Sequence, residues 1–149
     1  HDPKTIYLGG NVLFKTTDEG LNWQAISPDL TNDIKDRQLI TGTPWLSEYF
    51  GQEIYSTIKR VAESPVKQGV IWSGSDDGKV YITKDGGGNW EDISIIKGVP
   101  EFSQVYEVEP SPHDAATAYI VFSNFNTYDD YKPYIFKTIS PKITGSVVG

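Results

Sequence analysis

The sequence lacks cysteine and methionine altogether in a chain of 149 residues. Without cysteine there are no disulfides, no thiol catalysis and no cysteine-ligated metal sites. The absence of cysteine does not identify the cellular compartment, because many bacterial exported proteins also lack it. Since the chain starts with His1 and contains no methionine, we expect it to be part of a longer polypeptide, with any leader lying upstream.

Positive charge and long apolar runs are also scarce. Thirteen Lys and Arg residues stand against 20 Asp and Glu, which gives a formal net charge of −7. A field of that sign repels nucleic acid and anionic membrane surfaces, so neither is expected as the main partner. No apolar run approaches the roughly 20 residues that span a bilayer, and no targeting segment is visible at the start.

What the sequence does contain is a threefold internal repeat. Placing Tyr7, Trp72 and Tyr119 in register aligns the segments HDPKTIYLGG, VKQGVIWSGS and HDAATAYIVF. A second register aligns LFKTT, VYITK and IFKTI, with an aromatic residue at the same place in each. Self-similarity of this kind is the signature of a repeat architecture.

The middle copy shows the order of its strands. YSTIKRVAES ends at Pro65, which cannot donate to a sheet ladder. VIWSGS then leads into Asp76-Asp77-Gly78, a strong hairpin signal, and KVYITK and NWEDISI follow on either side of an acidic turn. Four short antiparallel strands in about 40 residues predict an all-β fold, a segment of a β-propeller built from four-stranded antiparallel blades.

Aligning the copies divides the chain into five parts. We assign residues 1–28 to an incomplete blade with strands two to four, 29–54 to an insertion between blades, 55–99 to a complete blade, 100–139 to an incomplete blade with strands one to three, and 140–149 to a tail. A closed propeller needs four to eight blades. The remaining blades of a parent propeller are therefore expected partners of this chain.

The same turn occurs twice, as TTDEGLNW (the first acidic turn, residues 16–23) and TKDGGGNW (the second, residues 83–90). Short acidic side chains accept backbone N–H bonds across their own turn, and glycine permits the left-handed geometry that closes it. Tryptophan offers a large apolar ring for packing between blades. A structural role is predicted for eight residues: Thr16, Asp18, Gly20 and Trp23, and Thr83, Asp85, Gly87 and Trp90.

These turns resemble the Asp-box, or bacterial neuraminidase (BNR) repeat, of sialidases, xyloglucanase-type glycoside hydrolases and sortilin-like propellers. Together with SPDL, AESP, VIWSGSDDG and EPSPHDAATAY, they make the chain as far as Thr138 look most similar to large bacterial exported proteins of the sortilin-like group. The resemblance implies a secreted, periplasmic or cell-surface location. The third copy departs from the pattern with ISPKITGSVVG, where the box would have an Asp at Ser140. Either the box has degenerated or the chain leaves the domain there, so no box is expected and the place of the tail after Thr138 stays open.

Two expanded loops are predicted at the opposite end of the propeller from the acidic turns, which we call the loop-rich end. Irregular loops on a rigid scaffold often carry binding residues, and aromatic planes beside carboxylates suit carbohydrate or peptide recognition. The candidate ligand-binding residues are Trp45, Glu48, Tyr49 and Glu53 in the insertion, and Tyr128, Asp129 and Asp130 in NFNTYDDYKP. Alternatively, these rings only pack the loops onto the blades and the acids are solvated.

Three functions stay open. The leading one is a non-catalytic recognition or scaffold module for protein, peptide or glycan, with no cofactor and no metal site. The alternative is a glycoside hydrolase propeller with its cleft at the loop-rich end, which needs two carboxylates about 5 to 9.5 Å apart. Asp76 and Asp77 are further carboxylates there, but nothing selects a pair, so no catalytic residue is assigned. The third is an assembly factor that grips a partner protein.

Overall fold

The computed structural model describes residues 1–38, 55–94, 97–139 and 142–147. In this part of the chain nearly all regular structure is β, arranged as three antiparallel sheets that follow one another along the chain. Each sheet contains one copy of the repeat.

The first sheet has three described strands, β1 (Ile6–Gly9), β2 (Leu13–Thr16) and β3 (Gln24–Ala25), in the order β1-β2-β3. The first acidic turn joins β2 to β3, and β1 forms one edge of the sheet. After β3 the chain crosses to the second sheet through a segment that includes the four-residue helix α1 (Lys35–Gln38).

The second sheet has four strands, β4 (Ile58–Glu63), β5 (Ile71–Ser75), β6 (Val80–Thr83) and β7 (Glu91–Asp92). They pair in chain order, as the strand pattern of the middle copy predicts. The outermost strand, β7, is short and pairs with β6 through Glu91 and Asp92, and the next residue, Ile93, donates its N–H to the Val80 carbonyl of β6 at 2.9 Å.

The third sheet is formed by β8 (Gln104–Pro110), β9 (Thr117–Asn124), β10 (Asp130–Ile139) and β11 (Lys142–Val147), with the four-residue helix α2 (Phe125–Tyr128) between β9 and β10. The order is β8-β9-β10-β11.

The last strand of the third sheet corrects the sequence division, which ends this unit at residue 139 and treats 140–149 as a tail. Lys142 lies opposite Ile139, and the pairing continues to Val147 opposite Tyr134. The loss of the Asp-box signal does not prevent this, because an antiparallel ladder needs only free backbone groups and ITGSVV is rich in β-branched residues. The other boundaries stay predictions.

Two hydrophobic cores lie between successive sheets, because alternate residues of a strand face opposite sides of its sheet. In β5, Ile71 belongs to the core shared with the first sheet and Trp72 to the core shared with the third. The first inter-sheet core consists of Leu13, Leu30, Ile58 and Ile71, flanked by Tyr7, Ile26, Val61, Tyr81 and Trp90. The second, larger core joins residues of β5 and β6 to residues of β8, β9 and β10.

Glycine at one repeat position lets the sheets approach closely. A Cβ added to Gly9 would lie 3.0 Å from Ile58 Cβ, and one added to Gly74 would lie 2.3 Å from Val105 Cγ1. Gly9 and Gly74 occupy equivalent positions in β1 and β5, two residues after the aligned aromatics. The third sheet carries Val121 at this position.

Candidate functional site at the loop-rich end

The two acidic turns are held by the same set of hydrogen bonds. Asp18 Oδ1 accepts the Thr16 hydroxyl at 2.7 Å and the Asn22 backbone N–H at 2.9 Å, while the Asn22 amide donates to Asp18 Oδ2 at 2.7 Å. Asp85 accepts the three equivalent bonds at 2.8, 2.9 and 2.7 Å. The hydrogen bond from the asparagine side-chain amide is the largest of the effects that lower the pKa of each aspartate to about 2. Both carboxylates are thus engaged within their own turns.

Glycine and tryptophan complete these turns. Gly20 and Gly87 have φ angles of +96° and +108°, in the region that favours glycine. The Trp90 indole N–H donates to the Ile26 carbonyl at 2.9 Å, so this ring bridges the first and second sheets. Trp23 instead donates to the Gly20 carbonyl of its own turn at 3.1 Å and stays half-exposed. A cavity of about 680 Å³ separates the two turns.

At the other end, Asp77 ties the segment after the first sheet to the β5–β6 turn. Its carboxylate accepts the Asn32 backbone N–H at 2.8 Å and the Ser75 hydroxyl at 2.5 Å, and the Asn32 amide donates to the Asp77 carbonyl at 2.8 Å. Asp77 is fully buried. The Asp77 oxygens therefore hold the segment at Asn32 against the β5–β6 turn.

The neighbouring Asp76 serves a similar purpose. Its Oδ1 accepts the Thr57 backbone N–H at 2.8 Å, and its own N–H donates to the Thr57 carbonyl at 3.0 Å. Burial is the main cause that raises the pKa of Asp76 to about 6, and the negative charge of Asp77 acts in the same direction. The two adjacent aspartates thus hold two different segments against the same turn.

A cavity of about 400 Å³ opens beside this turn. Its walls come from the segment after the first sheet, the β5–β6 turn and the loop before β8, and include Asn32, Glu101 and Phe122. Lys79 also lines it, with its ammonium 2.7 Å from Asp92 Oδ2. That hydrogen bond is the main cause that raises the pKa of Lys79, so the cation is paired.

Three exposed aromatic rings lie on α2 and the start of β10, and one of them, Tyr128, contacts Glu101 in the wall of this cavity. We call Phe125, Tyr128 and Tyr131, which are 50%, 50% and 73% exposed, the aromatic cluster. The ring centroids of Phe125 and Tyr131 are 5.1 Å apart. The Tyr128 hydroxyl donates to the Glu101 carbonyl at 2.9 Å, which fixes α2 to the cavity wall.

The structure brings together only part of the predicted ligand-binding set. Tyr128, Asp129 and Asp130 follow one another, but Asp130 accepts the Tyr134 hydroxyl at 2.6 Å, and this bond is the main cause that lowers its pKa. Asp129 is exposed, with a φ of +52°. The four residues predicted in the insertion lie outside the described residues: Trp45, Glu48, Tyr49 and Glu53. Sequence reasoning missed Phe125, although it lies in the loop NFNTYDDYKP that it singled out.

Neither a cluster of metal ligands nor a membrane-spanning helix is found among residues 1–38, 55–94, 97–139 and 142–147. Within these ranges no three His, Asp or Glu side chains lie close enough together to hold a metal ion. In the same ranges no helix has the length and apolar character needed to cross a bilayer.

Comparison with solved structures shows the fold of this chain. No family model and no curated protein sequence matches the chain. Among solved structures, a GH74 xyloglucanase from Xanthomonas campestris matches 93% of this chain with a TM-score of 0.57 and 17% identity. The chain folds as a segment of a β-propeller. YCF48 bound to D1 peptide matches 88% of the chain with a TM-score of 0.40 and 17% identity.

The match to the xyloglucanase concerns the fold alone. This chain spans 20% of the xyloglucanase chain and 31% of the YCF48 chain, and the 17% identity to the xyloglucanase shows the fold alone. The predicted fold class is confirmed, and the three sheets are called the first, second and third blades in chain order. Membership of the Asp-box family stays a prediction from the two acidic turns.

Proposed function

We propose that this chain belongs to a non-catalytic recognition or scaffold propeller of a bacterial exported protein, secreted, periplasmic or at the cell surface. The ligand is a protein, a peptide or a glycan that binds at the loop-rich end. The remaining blades of the parent propeller are its other partners. An assembly factor that grips a partner protein is one form of this function.

The aromatic cluster is the observation that carries this proposal. Its rings are at least half exposed, and those of Phe125 and Tyr131 contact each other. The bond from Tyr128 to the carbonyl of Glu101, a residue of the wall of the 400 Å³ cavity, fixes the third ring beside that cavity. Aromatic rings give a large contact area at a small cost in conformational entropy. Rings that cover the apolar face of a sugar or a peptide side chain suit a recognition surface.

The carboxylates at the same end support binding over hydrolysis. A glycosidase needs one carboxyl to protonate the leaving group and a second to act as nucleophile or base. Asp77 and Asp130 instead accept hydrogen bonds that fix loops. Asp76 has a pKa raised to about 6, which would suit a general acid, so hydrolysis is the second candidate function.

Binding assays with ring variants test the proposal. The probes are xyloglucan in affinity electrophoresis and a random peptide library displayed on phage. We expect one class to be bound, and we expect Tyr128→Ala and Tyr131→Ala each to weaken that binding about tenfold. Tyr119→Ala is the matched control, because this exposed ring lies on the side of the third blade, away from the loop-rich end.

Two outcomes would overturn this function. One is binding that survives both ring replacements unchanged, because the cluster would then not be the recognition surface. The other is hydrolysis of xyloglucan, measured as released reducing ends, by the unmutated 149-residue chain but not by Asp76→Asn. That result would establish the hydrolase.

A further inference from the structure

Four tyrosine rings of this chain each have a cation over one face. The ammonium nitrogen or guanidinium carbon lies 5.6 to 6.0 Å from the ring centre in the pairs Lys15–Tyr7, Arg60–Tyr106, Lys79–Tyr81 and Lys137–Tyr119. A ring attracts a cation placed within about 6 Å of its centre, because the ring face carries negative potential. The aromatic cluster differs, since none of the Lys and Arg side chains in the described ranges lies over one of its three rings.

The rings of the aromatic cluster keep open faces although two of them are in contact. The planes of Phe125 and Tyr131 are inclined at 53°, so the rings do not cover each other completely. Both rings are at least half exposed, as is Tyr128. The cluster therefore offers free ring faces to a ligand.

Two carboxylates next to the cluster have no partner in the described part of the chain. Asp129 directly follows Tyr128, and its backbone N–H donates to the Phe125 carbonyl at 3.1 Å. Glu101, whose carbonyl accepts the Tyr128 hydroxyl, is exposed in the wall of the 400 Å³ cavity. Neither carboxylate accepts a hydrogen bond or an ion pair from a described residue, whereas Asp130 is bonded. Both negative charges are open to a ligand.

Few positive charges at this end can neutralise the two acids. Lys79 is already paired within its own blade. The charge of Lys132 adds to the effect of the Tyr134 hydroxyl in lowering the pKa of Asp130, so it lies toward a carboxylate that is already bonded. Lys97, exposed in the loop before β8, adds one positive charge against the two acids. Since the whole chain carries a net charge of −7, the surface around the rings attracts cations.

Exposed rings beside unpaired carboxylates suit a guanidinium or ammonium group, because the ring faces attract the cation and the carboxylates supply the opposite charge. A neutral glycan would use the same rings without needing a negative surface. We propose that the ligand is a protein or peptide segment rich in arginine and lysine, whose cationic side chains lie on the aromatic cluster and pair with Glu101 and Asp129. This inference rests on the proposed recognition function and names its ligand.

Fluorescence anisotropy of labelled probes with the 149-residue chain tests the charge of the ligand. Three short peptides alternate Gly and Ser with Arg, with Gln or with Glu, and a xyloglucan oligosaccharide is the fourth probe. We expect the Arg peptide to bind at least about tenfold more tightly than the Gln peptide, and the Glu peptide to stay unbound. Added salt should weaken the binding of the Arg peptide, because it screens exposed charges.

Variants of the chain separate binding at the cluster from general attraction to a negative protein. Tyr131→Leu should weaken binding of the Arg peptide about threefold, whereas Tyr131→Phe keeps a ring face and should stay within about twofold of the unmutated chain. Glu101→Gln and Asp129→Asn should each weaken it about threefold; Asn also tolerates the φ of +52° at residue 129. Glu109→Gln is the matched control, because it removes the same charge near the end of β8 that lies toward the acidic turns. Circular dichroism verifies that all variants are folded.

The outcomes distinguish a wrong ligand from a wrong site. If the Gln peptide or the oligosaccharide binds as tightly as the Arg peptide, and Tyr131→Leu weakens that binding, the recognition site stands and the cationic ligand is refuted. If no probe shows binding that depends on Tyr131, the site and the ligand are both refuted. Equal losses in Glu109→Gln and Glu101→Gln would also overturn the inference, because the peptide would then respond to the net charge of the chain.

Discussion

Replacing Gly74 with alanine probes the closest approach between two blades. The new Cβ would lie 2.3 Å from Val105 Cγ1 and 2.8 Å from Val105 Cβ. Val105 is fully buried in the second inter-sheet core, so it cannot move away without displacing its neighbours. Overpacking of this kind costs about 1 to 3 kcal/mol of the free energy of unfolding. For a domain of this size that lowers the Tm by roughly 2 to 12 °C.

A double-mutant cycle isolates the steric cause. Val105→Ala alone should cost about 2 kcal/mol, because it leaves a cavity in the core. In Gly74→Ala/Val105→Ala the new methyl group occupies part of that cavity, so the combined loss should fall short of the sum by at least about 0.5 kcal/mol. Gly10→Ala is the matched control: its Cβ would lie 3.7 Å from the nearest atom, the Val12 carbonyl oxygen, and should change stability by less than about 0.5 kcal/mol.

Urea unfolding followed by tryptophan fluorescence measures all four variants. The protein concentration should be low enough to keep the chain monomeric, since association would add its own stability. The reasoning fails if Gly74→Ala unfolds at the same urea midpoint as Gly10→Ala, or if the two costs in the cycle simply add. Either result would mean that the second and third blades do not meet at this glycine.

Two further predictions concern pH. Folding raises the pKa of Asp76 from 3.8 to about 6. The contribution of this carboxyl to stability is therefore present below pH 3.8 and is lost as the pH rises through 6. Asp76→Asn should therefore raise stability by about 1 to 2 kcal/mol near pH 8, after allowance for solvent screening, with no gain near pH 4 in thermal melts. The pKa of Asp85, lowered to about 2, acts in the opposite sense: its contribution is present above pH 3.8 and lost as the pH falls through 2. Asp85→Asn should lower the Tm at neutral pH and progressively less toward pH 2; an equal loss across this range would contradict the assignment.

The propeller fold was predictable because its signals are local and repeated. A hairpin signal such as Asp76-Asp77-Gly78 fixes a turn, and alternation in the flanking segments fixes which residues face each neighbour. The strand Lys142–Val147 was missed for the converse reason. Its turn has lost the Asp, Gly and Trp of the other copies, while its pairing with β10 depends on backbone groups that the sequence does not distinguish.

The candidate site was predicted less well, because residue type does not reveal which partner a side chain has. Asp77 and Asp130 have the composition of ligand-binding acids. In the fold, Asp77 bonds Asn32, which is 45 residues away in sequence, and Asp130 bonds the Tyr134 hydroxyl. The contact between Phe125 and Tyr131 depends on the short helix α2, for which the loop sequence gives no periodic signal.

The two ends of the blades use carboxylates in the same way, and this limits the chemistry available to the chain. Asp85 holds its own turn, while Asp77 holds a segment from the first blade against the second. A carboxylate that accepts several hydrogen bonds cannot take up a proton without weakening them. Asp77 and Asp85 are therefore engaged in holding the fold, whereas Asp76, whose pKa burial raises to about 6, suits a general acid. At the described part of the loop-rich end the rings of the aromatic cluster are exposed and Tyr128 is fixed by its bond to the Glu101 carbonyl, and this supports the proposed binding function.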